Sequence, residues 1–221
     1  MQARILSHGD SRSFPAGDAF LDTHAPDGDV LVVIGAGAGA ALAAIDLSTH
    51  AAVAVELEGA CLGTIIGAPL GEEGGTVVGF ARHRTGTGAP TRTVEIVTHP
   101  HTSGEALARV TAVFEAAGFV VVTCADRDGR ILDRLMRPYF NRALEALDLG
   151  LAPAETLDRT LRLGLGYPRG PLEILSEEGL AAHFEVSSRL HAALGERAYL
   201  PARRARVAAE RAAGQDKELR Q

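Results

Sequence analysis

Cysteine is scarce in this 221-residue chain: Cys61 and Cys124 are the two present, and neither sits in a ligand motif. That excludes a disulfide framework or a zinc site as the organising feature. No apolar run reaches the ~20 residues a membrane-spanning helix needs, so no membrane partner is expected. An excess of basic charge is missing too, since 22 Lys and Arg against 28 Asp and Glu leave a formal net charge of −6. Nucleic-acid binding normally shows a basic face, and no nucleic-acid partner is expected here. Lysine is nearly absent, with Lys217 alone among arginines, a bias we read as compositional rather than functional. The first eight residues lack the charged-then-apolar layout of a secretory signal, which points to a cytoplasmic protein. There is no internal repeat and no low-complexity linker.

What is present is an ordinary globular mixture, 46% hydrophobic and 23% charged, able to build a real core. Residues 1–125 carry short β-branched runs at Val30–Ile34, Val53–Leu57, Thr76–Phe80 and Phe119–Cys124. Continuous apolar strands of this kind suit a mostly parallel sheet covered on both faces. Thr102-Ser-Gly-Glu105 reads as a capping box that opens a helix, and Gly118 stops it. After Asp126 the strand signal disappears. Residues 131–149 show one apolar helical face, Pro153 opens a second helix, and Pro171 and Arg203 start two more. The expected fold is therefore an α/β domain over 1–125 followed by an all-α domain over 126–221.

Several residues invite functional readings. Gly35-Ala-Gly37-Ala-Gly-Ala40 follows a strand, and Glu56 lies 21 residues after Gly35 at the end of the next one. That spacing fits a dinucleotide-binding turn with a ribose-binding acid, making Gly35, Gly37 and Glu56 the cofactor candidates. An ordinary crossover helix after the strand fits the same residues. His99-Pro-His101 lacks a third ligand at useful spacing and reads as a strand-to-helix loop, so no metal is expected. The basic run Arg203-Arg204-Ala-Arg206 reads as a solvated helix face that could also meet a CoA phosphate.

Three stretches in order resemble the NAD-dependent 3-hydroxyacyl-CoA dehydrogenases. Asp126-Arg-Asp-Gly-Arg-Ile-Leu-Asp-Arg-Leu135 is similar to that family's D-R-P-G-F-I-x-N-R-L hinge. Leu163-Gly-Leu-Gly-Tyr-Pro-Arg-Gly-Pro-Leu-Glu173 is similar to its G-x-G-[YF]-P-x-G-P-[FL]-E loop, and Thr93-Val-Glu-Ile-Val97 to its L-V-E-[IV]-V strand. The resemblance implies a Rossmann-like N-terminal domain, a helical C-terminal domain that forms a homodimer, NAD as cofactor and an acyl-CoA substrate in fatty-acid metabolism. It also implies a catalytic His–Glu pair, which falls on His83 and Glu95, twelve positions apart as in the family. Imidazole suits the base because its pKa lies near working pH, and a carboxylate on its other nitrogen fixes the tautomer. The family's catalytic Asn falls on Asp133.

The departures are specific. The residues after the family's His have become Arg84-Thr-Gly-Thr87, the hinge Pro is Asp128, and the family's catalytic Ser falls near Ala60-Cys61-Leu62, which has no hydroxyl. The stretch before His83 is also short for a complete family nucleotide-binding domain. Three functions stay open: an NAD-dependent 3-hydroxyacyl-CoA dehydrogenase with His83 as base, a non-catalytic family member acting as a binding or assembly subunit, or an oxidoreductase for another small hydroxy acid.

Overall fold

The computed structural model describes residues 2–71, 75–84 and 88–218. Two compact units divide the chain, an α/β unit of Met1–Arg84 with Ala89–Ile131 and a helical unit that begins at Leu132. The stretch Asp126–Ile131 therefore belongs with the sheet. Two backbone bonds hold it there, Gly129 N–H to Gly59 O at 2.9 Å and Ile131 N–H to the Glu95 carboxylate at 2.7 Å.

Six strands form one sheet whose spatial order follows the sequence: β1 (Ala3–Ser7), β2 (Val30–Ile34), β3 (Ala52–Glu56), β4 (Val77–Arg82), β5 (Thr93–Thr98) and β6 (Val120–Ala125). The first four are parallel, β5 runs antiparallel to β4, and β6 is parallel to β5. All five residues of β2 and of β3 are buried, as continuous Val/Ile/Ala runs require. β1 has a weaker sequence signal, and the sequence reading missed it.

Helices α1 (Ala38–Ala41) and α2 (Leu62–Gly71) cover one face, with Ala38, Leu42, Leu62 and Ile66 packed on Leu31, Val33, Val53 and Val55. Helix α3 (Gly104–Ala116) covers the other through Val110, Val113 and Phe114, beside Phe14 and Phe20 from the β1–β2 connection. The first connection thus passes over the face opposite α1 and α2 although β1 to β4 follow one direction across the sheet. It has the opposite hand to the other crossovers, and about 98% of crossovers are right-handed. Local interactions hold this exception. The Phe14 and Phe20 rings stack at 4.4 Å, and the buried Arg82 guanidinium bonds Asp18 at 2.7 Å and Ser13 O at 2.7 Å.

The α3 cap is Ser103, whose hydroxyl accepts from Ala106 N–H at 3.0 Å. Thr102, the residue expected to cap, instead accepts from His99 N–H at 2.9 Å. Gly118 ends the segment at φ +83°.

The helical unit contains most of α4 (Ile131–Asp148), then α5 (Ala154–Leu165), α6 (Pro171–Glu178), α7 (Leu180–Leu194) and α8 (Arg203–Glu218). Pro138 lies inside α4 and cannot donate to the Arg134 carbonyl. The Tyr199 hydroxyl donates to that carbonyl instead, at 3.1 Å. The expected helix from Pro171 is two helices, because Gly179 adopts φ +87° between α6 and α7. Phe140, Leu144, Leu175 and Ala205 form the core of this unit. No helix among the described residues is long and apolar enough to cross a membrane.

Candidate active site at the carboxyl ends of the strands

His83 lies one residue beyond the end of β4, and Glu95 lies in the middle of β5. The antiparallel register sets Ala81 opposite Glu95, so the twelve-residue separation folds back across a single pair of neighbouring strands. Side chains two residues apart on a strand share a face, which puts Glu95 on the α2-covered side with Val97. The carbonyl of His83 accepts from Thr91 N–H at 2.8 Å, which holds the chain on both sides of the intervening loop. Glu95 is buried at 4% exposure, and its Oε2 accepts from Ile131 N–H. A carboxylate held in this way has a fixed position, suited to orienting an imidazole.

The stretch near which the family's serine falls, Ala60-Cys61-Leu62, carries the thiol of Cys61. Burial raises its thiol to about 11, helped by a hydrogen bond to Asp128 and by the nearby Asp126 charge. The thiol is therefore protonated at neutral pH and is no nucleophile. Asp126 itself caps α2, accepting from Leu62 N–H at 2.6 Å and Gly63 N–H at 2.7 Å.

Asp133 belongs to the helical unit. Its Oδ1 accepts from Arg137 Nη2 at 2.9 Å and Nε at 3.1 Å, one helical turn along α4. Arg137 is fully buried and also makes a two-pronged pair with Glu178, both contacts at 2.7 Å. Its Nη1 reaches His183 Nδ1 at 3.3 Å, and His183 Nε2 reaches Asn141 Oδ1 at 2.9 Å. Arg137 can only donate, so Nδ1 is the acceptor and Nε2 carries the proton. Burial, reinforced by the Arg137 charge, brings the His183 pKa down to about 3. No local sequence pattern marks His183 or this cluster. The Arg137–Glu178 partnership spans 41 residues and leaves no local signal.

Gly35 and Glu56 do come together, but in a direct bond: Gly35 N–H donates to Glu56 Oε2 at 2.7 Å. The same carboxylate accepts from Ser13 N–H at 2.7 Å and the Ser11 hydroxyl at 2.7 Å. The connections after β1 and β2 leave towards opposite faces, the arrangement that opens a ligand crevice in doubly wound sheets. Here the two loops close on each other. Ala36 N–H donates to Asp10 O at 3.1 Å, Gly37 N–H to His8 O at 2.8 Å, and Ala38 N–H to Gly35 O at 2.9 Å.

A dinucleotide needs free N–H donors and open backbone at such a turn. The N–H groups of Gly35, Ala36, Gly37 and Ala38 are all committed to the chain, and a carboxylate already holds the position an anion would take. A Cβ at Gly35 would lie 2.5 Å from Gly9 O, so glycine is required there by the neighbouring loop. A cavity of about 420 Å³ adjoins the turn between Gly39, Leu57 and Thr64, so space exists without the donors. No helix starts in the loop after β1 either, where residues 8–18 form bends and turns. The residues present do not fit NAD at this turn.

Comparison with known proteins agrees with the helical half most closely. Residues 129–218 match the family described as 3-hydroxyacyl-CoA dehydrogenase, C-terminal domain. A probable 3-hydroxybutyryl-CoA dehydrogenase of Deinococcus radiodurans is 32% identical over 108 residues, 49% of this chain and 39% of that protein. The human mitochondrial hydroxyacyl-coenzyme A dehydrogenase is 37% identical over 87 residues, 39% of this chain and 28% of that protein. This chain thus spans well under half of the curated relatives it matches. Among solved structures, the 3-hydroxybutyryl-CoA dehydrogenase of Escherichia coli superposes with a TM-score of 0.69 at 25% identity, covering 81% of this chain and 39% of that one. FadB2 of M. tuberculosis gives a TM-score of 0.69 at 21% identity over 84% of this chain and 67% of that one, a likeness of fold. The two curated relatives and the Escherichia coli structure are each named as a dehydrogenase of a hydroxyacyl-CoA thioester. The likeness to the 3-hydroxyacyl-CoA dehydrogenases is carried by residues 129–218, which match that family's C-terminal domain.

Proposed function

We propose that this chain is a 3-hydroxyacyl-CoA dehydrogenase-type protein that binds an acyl-CoA thioester and keeps the family's proton-handling pair, His83 and Glu95, without a dinucleotide site of its own. The observation that carries this reading is the closed turn at Gly35–Ala38, whose donors Glu56 and the β1 loop already occupy. His83 hydrogen-bonds the substrate's 3-oxygen, Glu95 holds the imidazole in the tautomer that can do so, and no hydride transfer is assigned to this chain. NAD, which members of the family generally use, is not assigned to any residue of this chain. Asp133 has no substrate role in this reading, because Arg137 holds its carboxylate.

The protein acts as a homodimer through its helical unit. No residue of α5 is buried, and Leu149, Leu151, Leu163 and Leu165 are exposed at its ends. Exposed leucines at both ends of an unburied helix are surface a second copy would cover. The location is the cytoplasm, where acyl-CoA thioesters are available.

Calorimetric titration with acetoacetyl-CoA, paired with an NADH-oxidation assay, tests the reading. The expected result is saturable acetoacetyl-CoA binding with no NADH oxidation. Oxidation of NADH by acetoacetyl-CoA that disappears in His83→Ala would instead establish the working dehydrogenase, because loss of a general base typically removes ~10²–10⁴-fold of rate.

A further inference from the structure

Arg82 shows what a completed buried arginine looks like in the α/β unit. Its Nη1 meets Asp18 and Ser13 O at 2.7 Å each, and its Nε meets Thr91 O at 2.9 Å. Arg130 is different. It is 4% exposed, and only its Nη2 is bonded, to Ala60 O at 2.9 Å and Arg127 O at 2.6 Å. Its Nε and Nη1 are buried without a hydrogen-bond partner. Of the five N–H donors a guanidinium carries, the three on those two nitrogens have no acceptor.

No carboxylate meets the guanidinium directly either. None of the described carboxylates forms an ion pair with Arg130, although Asp126, Asp128 and Glu95 are in its neighbourhood. Asp126 caps α2, and Glu95 accepts from Ile131 N–H. The two thiols nearby, Cys61 and Cys124, are both pushed up by burial and supply no countercharge at neutral pH. Nor can the loop easily swing the guanidinium to solvent, because Gly129 N–H is fastened to Gly59 O. An unpaired buried cation is costly, and natural proteins rarely leave buried polar groups unsatisfied. The hinge motif this stretch resembles has phenylalanine at the Arg130 position, so an apolar ring is a reasonable occupant and the arginine is a departure that needs a cause.

We propose that Arg130 is the recognition residue of an oxyanion subsite, with its Nε–H and Nη1–H groups receiving the oxygens of a carboxylate or a phosphate. The subsite lies one residue from Ile131, whose N–H holds Glu95, so the bound anion sits beside the proton-handling pair. Guanidinium groups bind planar carboxylates and phosphates through several parallel N–H donors, which matches the donors left open here. The proposal goes beyond thioester binding, since it assigns a ligand group that neither His83 nor Glu95 contacts.

Thermal unfolding of the full chain with acetoacetate, inorganic phosphate or chloride at matched ionic strength tests it. Acetoacetate or phosphate should raise Tm saturably above chloride, and the more effective of the two identifies the source of the oxyanion. Arg130→Phe and Arg130→Gln should each bind the effective anion at least about tenfold more weakly. Nitrogen-15 spectra of the arginine side chains provide a second reading that needs no variant, with the Arg130 Nε–H resonance moving as the anion is added. Equal stabilisation of wild type and variants, no preference over chloride, or an Arg130 resonance that does not move would each overturn the proposal.

Discussion

Two regions of this protein bury charge beside positions that the sequence offers as ligand contacts, and they hold it differently. In the α/β unit a single carboxylate, Glu56, is held by neutral donors: two backbone N–H groups and one hydroxyl. In the helical unit a single guanidinium, Arg137, is held by two carboxylates, Asp133 and Glu178, with a neutral histidine behind it. The first arrangement closes a turn mostly with backbone, so only Glu56 and the Ser11 hydroxyl can be changed by substitution. The second is built from side chains throughout, so each member can be removed separately. Both convert a candidate ligand contact into an internal one.

Removing the cation from the helical cluster should have the largest effect. Arg137→Met leaves Glu178 and Asp133 facing each other in the interior, and breaking a buried pair from one side costs about 3–5 kcal/mol. Urea unfolding should show this loss. Adding Glu178→Leu to the same chain should recover a substantial part of it, because an apolar replacement of both partners removes the stranded charge.

Next comes pH, which separates the two regions without mutation. The folded His183 pKa of about 3 lies below the ordinary histidine value of 6.5. The unfolded chain therefore binds a proton that the folded chain refuses between those values. Stability contributed here is full above pH 6.5 and falls as pH drops towards 3, by on the order of a few kcal/mol in total. Unfolding measured at pH 7 and pH 4.5 should show the decline, and His183→Gln should flatten it. An unchanged slope in that variant would remove His183 as the source.

Glu56→Gln should weaken the α/β unit by about 1–3 kcal/mol, since the amide must turn an N–H₂ group towards donors and leave one unsatisfied. It should not create NADH binding, because Ala36, Gly37 and Ala38 keep their internal partners. The smallest effect is expected for Asp133→Asn. Arg137 keeps its two-pronged pair with Glu178, and the loss should be about 1 kcal/mol by thermal unfolding.

These outcomes bear on how far sequence can be read. The central strands were legible because each is a short β-branched run, and the helical half because its apolar stripes recur at helical spacing between Gly150, Pro153 and Pro171. β1 was not, since Ala-Arg-Ile-Leu-Ser gives only a brief apolar pair. The 21-residue separation of Gly35 and Glu56 was legible and does bring them together. Its meaning was not, because sequence cannot tell whether a carboxylate faces a ribose or the backbone of its own turn. Cluster partners such as Arg137 and Glu178 meet only through helix packing, which no local pattern reports. His83 and Glu95 stood out only through the family resemblance, and the β4–β5 register sets Glu95 opposite Ala81, two residues before His83.

The most direct test of the account is a titration of the purified chain with NADH, followed by nicotinamide fluorescence. The closed Gly35–Ala38 turn predicts no saturable change at micromolar protein and nucleotide, with acetoacetyl-CoA binding retained in the same preparation. A saturable quench or enhancement with micromolar Kd would contradict it.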